Sequence, residues 1–207
     1  MQGMLAVHPP TESGTTLRVL DIGCGYGEML RFLNTYRRPK GYHLAYKGID
    51  ADPVAVELAN GIAPQADIQR GELPQALEGV GTFQGFICSE VLEHLTQEQG
   101  LELFRLMTIA SEPGSVAVFT VPTPELSKVK QFDFHLHEYP VSEVLRLIED
   151  SGWKLITWYW LRVPITKLPT RNLDIPNIVF TAANAPFAPK DQNLTGGKDA
   201  FYFFEKV

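Results

Sequence analysis

Three glycines at alternate positions, Gly23, Gly25 and Gly27, constrain this chain more than any other feature of it. They follow the short apolar run Leu17, Val19, Leu20 and Ile22, which ends at a glycine and reads as a buried strand. Met29, Leu30, Leu33 and Tyr36 then recur at helical spacing, so the backbone must turn from strand to helix across Gly23–Gly27. Glycine has no Cβ, which lets such a turn bend tightly and lets a ligand approach the main chain. A dinucleotide fingerprint would be G-x-G-x-x-G and would receive a pyrophosphate. Here Glu28 stands at the position of its third glycine, and the spacing is G-x-G-x-G.

Asp21-Ile22-Gly23-Cys24-Gly25-Tyr26-Gly27 resembles motif I of the class I S-adenosylmethionine-dependent methyltransferases. The resemblance implies a cofactor without a phosphate, lying against the turn through its methionine and ribose portions. Asp21, Gly23, Cys24, Gly25 and Gly27 are then cofactor-binding positions, S-adenosylmethionine is the methyl donor and S-adenosylhomocysteine the product.

At 207 residues one domain is the default, with enough chain for a substantial core. A net charge of −6 provides no global attraction for nucleic acid, although Arg37, Arg38 and Lys40 cluster. Two cysteines, Cys24 and Cys88, make no disulfide framework and suggest a reducing, cytoplasmic compartment. Residues 1–16 lack the basic and apolar parts of a signal peptide and are expected to form a flexible lead-in. No stretch reaches the roughly 20 apolar residues of a membrane-spanning helix, so no membrane partner is expected.

Ala45–Asp50 reads as a second strand ending in a carboxylate, and Asp52-Pro53 opens a helix with Asp52 as N-cap and Pro53 in the first turn. A weak third strand within Gln65–Pro74, a fourth over Phe83–Ser89 and a fifth over Ser115–Val121 follow. A helix over Gln97–Ala110 starts with a capping box of Thr96 and Gln99, and another spans Val141–Ser151 before Gly152. Trp153–Leu161 and Asp199–Val207 supply the sixth and seventh strands, the last antiparallel. Alternating strands and helices predict an α/β fold, a Rossmann-like three-layer α/β/α sandwich around a seven-stranded, mostly parallel sheet. Residues 17–207 form the single domain, and 162–198 is an insertion expected to contribute to a substrate wall, with Ile175–Ala183 apolar enough to pack. Trp158, Tyr159 and Trp160 read as ordinary strand packing.

Asp50 ends the second strand, where open α/β sheets place ligands, and a carboxylate there can accept from both hydroxyls of a ribose. The resemblance implies that role for Asp50, with Ala51 beside it. It also implies an acid after the third strand that accepts from the adenine amino group. Glu72, next to Leu73, is the favoured residue and Asp67 the competitor. Relatives carry Asp where this chain has Gln84, a departure expected to concern a structural hydrogen bond. Glu90-Val91-Leu92-Glu93-His94-Leu95 is similar to a segment common in methyltransferases that act on small molecules. Ser89 and Glu90 are then placed to line the cofactor.

Transfer from a sulfonium needs alignment, exclusion of water and, for a hydroxyl acceptor, removal of a proton. His94, His135 and His137 are the candidate bases, since histidine titrates near neutral pH. The leading expectation is transfer to a small-molecule acceptor, most simply a hydroxyl oxygen, by in-line displacement with a histidine base and no metal. Two alternatives stand beside it. Glu90, Glu93, His94 and His135 form a possible divalent-ion cage, which resembles the metal site of RNA 3′-terminal 2′-O-methyltransferases; the acidic charge argues against RNA as a partner. The other alternative is a cofactor-binding protein without catalysis.

Overall fold

The computed structural model describes residues 15–36, 42–122, 124, 135–161 and 199–207. Its central strand is β1 (Thr15–Ile22), whose alternate side chains serve opposite faces of the sheet. Leu17 and Val19 join one core cluster, with Leu30 and Leu33 of α1 (Glu28–Tyr36) and Ala59 of α2 (Pro53–Ile62). Leu20 and Ile22 join the other, with Leu103, Phe104 and Met107 of α3 (Gln97–Ile109) and Val144, Leu147 and Ile148 of α4 (Val141–Asp150). Helices on both faces thus make the three layers expected. Each fully buried Leu or Phe in these clusters contributes about 1.5–3 kcal/mol.

The remaining strands are β2 (Tyr42–Asp50), β3 (Asp67–Arg70), β4 (Phe83–Ser89), β5 (Ser111–Pro122), β6 (Trp153–Leu161) and β7 (Asp199–Lys206). The sheet order is β3-β2-β1-β4-β5-β7-β6. β1 to β5 run parallel, and β7 runs antiparallel to both β5 and β6. From β1 the chain moves outward to β2 and β3, then returns to β4 on the other side. The switch point therefore lies between β1 and β4, and ligands bind beyond the carboxyl ends of strands at such a point.

Local signals place the helix starts. Asp52 accepts from the Val54 N–H at 2.8 Å, with Pro53 in the first turn of α2. At α3 the Gln99 N–H donates to Thr96 and the Thr96 N–H to the Gln99 side chain, a reciprocal cap worth about 1 kcal/mol. Gly152, at φ +73°, closes the end of α4 and donates its N–H to the Glu149 carbonyl.

Three boundaries differ from expectation. Thr15 and Thr16, expected in the flexible lead-in, are the first residues of β1 and pair with Tyr42 and His43. That pairing also starts β2 earlier than Ala45. β5 begins at Ser111, because the Ser115 hydroxyl donates to the Phe83 carbonyl and accepts from the Glu112 N–H, folding Pro113-Gly114 into an irregularity within the strand. Gln84 acts at the amino ends of the strands: it accepts from the Arg18 N–H at 3.0 Å and donates to Glu112 at 2.9 Å. The basic cluster Arg37, Arg38 and Lys40, the lead-in before Thr15 and the insertion 162–198 lie outside the described residues. No helix among the described residues is long and apolar enough to cross a membrane.

Candidate active site

The glycine turn is held by the end of β2. The N–H groups of Gly23 and Cys24 both donate to the Ile49 carbonyl, at 2.8 and 3.0 Å, and the Gly25 N–H donates to Asp50 Oδ2 at 2.8 Å. Gly23, Gly25 and Gly27 have φ of +70°, +51° and +77°, the left-handed region that side chains disfavour. Their surroundings differ. A Cβ on Gly23 would fall 2.2 Å from Val91 Cγ2 and one on Gly27 3.2 Å from Ala59 Cβ, whereas one on Gly25 would meet nothing within 4 Å. Gly25 is therefore the point where the main chain lies open.

Asp50 completes this half of the site. Oδ1 accepts from the Asp52 N–H at 2.9 Å and Oδ2 from Gly25, and each oxygen retains a further lone pair for a ligand hydroxyl. Beside it an open depression of about 360 Å³ is lined by Ile49, Gly71, Glu72 and Ala76, with Gln69, Arg70 and Gln75. Glu72 is exposed on its rim, and partly buried Leu73 packs on the core behind it. The Ala51 carbonyl accepts from Arg70 Nε at 3.3 Å. An uncovered main-chain segment, a carboxylate with spare acceptors and a half-apolar depression together fit a nucleoside with a ribose diol.

Cys24 is turned away from that opening. Gly48 has no Cβ, and a Cβ built there would fall 2.8 Å from Cys24 Sγ, so the thiol fills the space under β2; burial, then Asp21 and Asp50, push it up to about 12. Beneath the turn Asp21 is 3% exposed and accepts a hydrogen bond from the Tyr46 hydroxyl. Burial raises its carboxyl to about 7, opposed by the Tyr46 hydrogen bond and assisted by Asp50.

The second half lies at the carboxyl end of β4, the strand paired with β1. Glu90 has φ +53°, a conformation that costs a side-chain-bearing residue on the order of 1–2 kcal/mol. Two bonds hold it there: its N–H donates to the Thr120 carbonyl at 3.0 Å, and its Oε1 accepts from the Thr120 hydroxyl at 2.7 Å. That hydroxyl has one proton, so in its 2.8 Å contact with Ser89 the serine is the donor.

After Glu90, a short 3₁₀ turn, Leu92–His94, buries Glu93 to 2% exposure and leaves the His94 side chain 44% exposed. The Glu93 carbonyl accepts from the N–H groups of Leu136 and His137, at 2.8 and 3.3 Å. Those bonds bring the 135–140 stretch against the turn. His94 and His135 meet edge to face, with ring centroids 5.4 Å apart at 80°. One ligand-type atom from each of Glu93, His94 and His135 lies within 4.8 Å of the others.

His137 faces elsewhere. Its Nε2 sits 3.1 and 3.0 Å from the two Glu143 oxygens, and Gln97 donates to Glu143 at 2.8 Å. Its ring packs edge to face on Tyr139, whose hydroxyl donates to the Thr96 carbonyl at 3.1 Å. Gly100 makes room for that tyrosine, because a Cβ there would fall 2.3 Å from the Tyr139 hydroxyl. Of the three candidate bases the structure thus brings His94 and His135 together and joins His137 to α4. Tyr46, Val91, Thr120 and Glu143 escaped sequence reading. Only Tyr46 left a trace there, as a hydroxyl in a strand that had to find a partner once buried.

The fold and the glycine turn are those of the class I S-adenosylmethionine-dependent methyltransferases. A family model described as a methyltransferase domain matches residues 5–170, and the chain belongs to that family. No curated protein matches the chain. Among solved structures it is similar to a SAM-dependent methyltransferase from Archaeoglobus fulgidus at 21% identity and a TM-score of 0.68, covering 99% of this chain and 92% of that one. It is similar also to magnesium protoporphyrin IX methyltransferase from Synechocystis with bound SAM, at 12% identity and a TM-score of 0.64, covering 100% and 76%. The [4+2]-cyclase SpnF matches at 16% identity and a TM-score of 0.63, covering 99% and 80%. At such identities the likeness is one of fold.

Proposed function

We propose that the protein transfers the methyl group of S-adenosylmethionine to a hydroxyl oxygen of a small molecule. The donor, when bound, supplies a methyl on a sulfonium, a good leaving group. Asp50 accepts from its ribose hydroxyls, Gly25 provides the open main-chain surface, Gly23 and Gly27 shape the turn that presents it, and Glu72 and Leu73 border the adenine. Asp21 acts from below the turn through Tyr46. Ser89 and Glu90 border the donor from β4.

The observation that carries the acceptor side is the convergence of Glu93, His94 and His135 on the strand end next to the glycine turn. Imidazoles there can remove the hydroxyl proton, with Glu93 stabilising the resulting positive charge, and such acid–base help is worth roughly 10²–10⁴ in rate. His137, paired with Glu143, holds the stretch that carries His135. The net charge of −6 supports a small acceptor over nucleic acid. So does the similarity to a methyltransferase of magnesium protoporphyrin IX.

The test is transfer from methyl-labelled S-adenosylmethionine into small-metabolite pools and short RNAs. Label is expected in an alkali-stable ether of a small molecule, lost in His135→Ala while S-adenosylhomocysteine binding persists. Tight binding of S-adenosylhomocysteine with no labelled product in any pool would instead establish a binding protein on a methyltransferase fold.

A further inference from the structure

We propose that Glu93, His94 and His135 bind a divalent transition-metal ion, with Zn²⁺, Co²⁺ or Mn²⁺ preferred to Mg²⁺. The binding claim stands on geometry alone; the ion's part in the reaction rests on the hydroxyl-transfer reading above, with His94 and His135 holding the ion and the ion, in place of a free imidazole, promoting loss of the hydroxyl proton.

Two imidazoles and a carboxylate are the donors that first-row transition ions select, whereas Mg²⁺ and Ca²⁺ favour oxygen alone. With metal–ligand bonds of about 2.0–2.2 Å, tetrahedral ligand atoms lie roughly 3.4 Å apart. The three atoms here already lie within 4.8 Å of one another, so small side-chain rotations close the set. Glu93 is 2% exposed, and a carboxylate that deep is stabilised by a facing dication. His94 keeps 44% exposure, so the set is reachable from solvent.

The set is also held in place by parts that are not ligands. Glu93 and His94 are neighbours on one turn. His135 arrives from a distant stretch, yet its position is set by the bonds of Leu136 and His137 to the Glu93 carbonyl, by His137 on Glu143 and by Tyr139 in the gap at Gly100. Glu90, which spacing alone would add as a fourth ligand, is directed to the Thr120 hydroxyl and stands outside the group. Three protein ligands leave at least one coordination position for substrate, the pattern of a catalytic site.

An acceptor hydroxyl at that position, best one beside a second oxygen donor, loses its proton more readily, as zinc-bound water does near pH 7. The balance is simple: the O–H bond breaks and its proton leaves to solvent. The oxygen's electron pair forms the O–CH₃ bond, the C–S⁺ bond breaks, and sulfur departs as a neutral thioether.

The experiment uses the full chain, stripped with a chelator and titrated with Zn²⁺ by calorimetry and with Co²⁺ by its visible absorption. A single ion per chain is expected, with affinity reduced at least tenfold in His94→Ala and in His135→Ala and unchanged in His43→Ala, an exposed histidine on β2. Circular dichroism and S-adenosylhomocysteine binding verify that each variant folds. Equal binding by the wild type and the His94→Ala/His135→Ala double variant would overturn the site. Transfer that survives chelation but still needs His135 would overturn the ion's part in the reaction and leave the histidine-base reading. An ion bound at these residues with no labelled product in any pool would uphold the site and overturn hydroxyl transfer.

Discussion

The turn after β1 and the cluster after β4 occupy neighbouring strand ends, yet they are built in opposite ways. The first is mostly main chain: three N–H groups tied to one carbonyl and one carboxylate at the end of β2, with side chains excluded where the chain must lie open or pack tightly. The second is side chain, gathered from a short turn and a distant stretch and supported by α3 and α4. A main-chain site depends on what is missing at Gly23 and Gly25. A side-chain site depends on each group that has been delivered.

Five substitutions would break or sharpen that contrast, taken from the largest expected effect to the smallest with the two glycines kept together. The first concerns Asp21, whose native carboxyl, at about 7, lies above its ordinary 3.8. Between those values the folded state binds more protons than the unfolded one, so stability falls as pH rises through the window, by on the order of 4 kcal/mol in all, and is level beyond it. Denaturation at a series of pH values measures this, and Asp21→Asn should flatten the slope. A slope that persists in Asp21→Asn would place its origin elsewhere.

Gly23→Ala meets both a positive φ and Val91, and should lose about 3 kcal/mol of stability. Gly25→Ala, which meets only the φ, should lose about 1 kcal/mol and weaken the donor instead. Paired urea denaturation and S-adenosylhomocysteine titration separate the two, and identical behaviour would erase the distinction between the packed glycine and the open one. Asp50→Asn exchanges a charged acceptor for a neutral amide, and donor affinity should fall by about 2 kcal/mol. Calorimetry with S-adenosylhomocysteine reads it directly. Glu143→Gln, in contrast, should leave donor binding within about twofold and cost roughly 1 kcal/mol of stability. Transfer should slow because His135 is held less firmly, and a loss of donor affinity would show that the two regions are coupled.

The fold and the turn after β1 were largely legible in the residues because their parts are local. A glycine triplet between a strand and a helix, an acid at the next strand end, and Thr96 with Gln99 at a helix start each act over a few positions. The cluster after β4 was legible only as a set of histidines. Nothing near His137 signals that α4 will bring Glu143 to it. Nor does Glu90 reveal that Thr120 will take its carboxylate, since both pairings are made by tertiary packing. The same holds for Tyr46 on Asp21 and for the sheet edge. Two apolar strands near the end were evident, but the insertion of β7 between β5 and β6 follows from sheet assembly rather than from periodicity.

That insertion has a consequence for the order in which the molecule is made. β5 pairs with β7 through Val116↔Glu205 and Pro122↔Asp199, while β6 joins the sheet only through β7 among the described residues. The five parallel strands can therefore settle while β6 still lacks a place, and closure of the long loop from β5 to β7 must precede its docking. Loop closure of that span is entropically unfavourable and slow. Amides of β6 and β7 should gain protection after those of β1 and β4 in pulse-labelled hydrogen exchange, making the far edge of the sheet the last part of the fold to form.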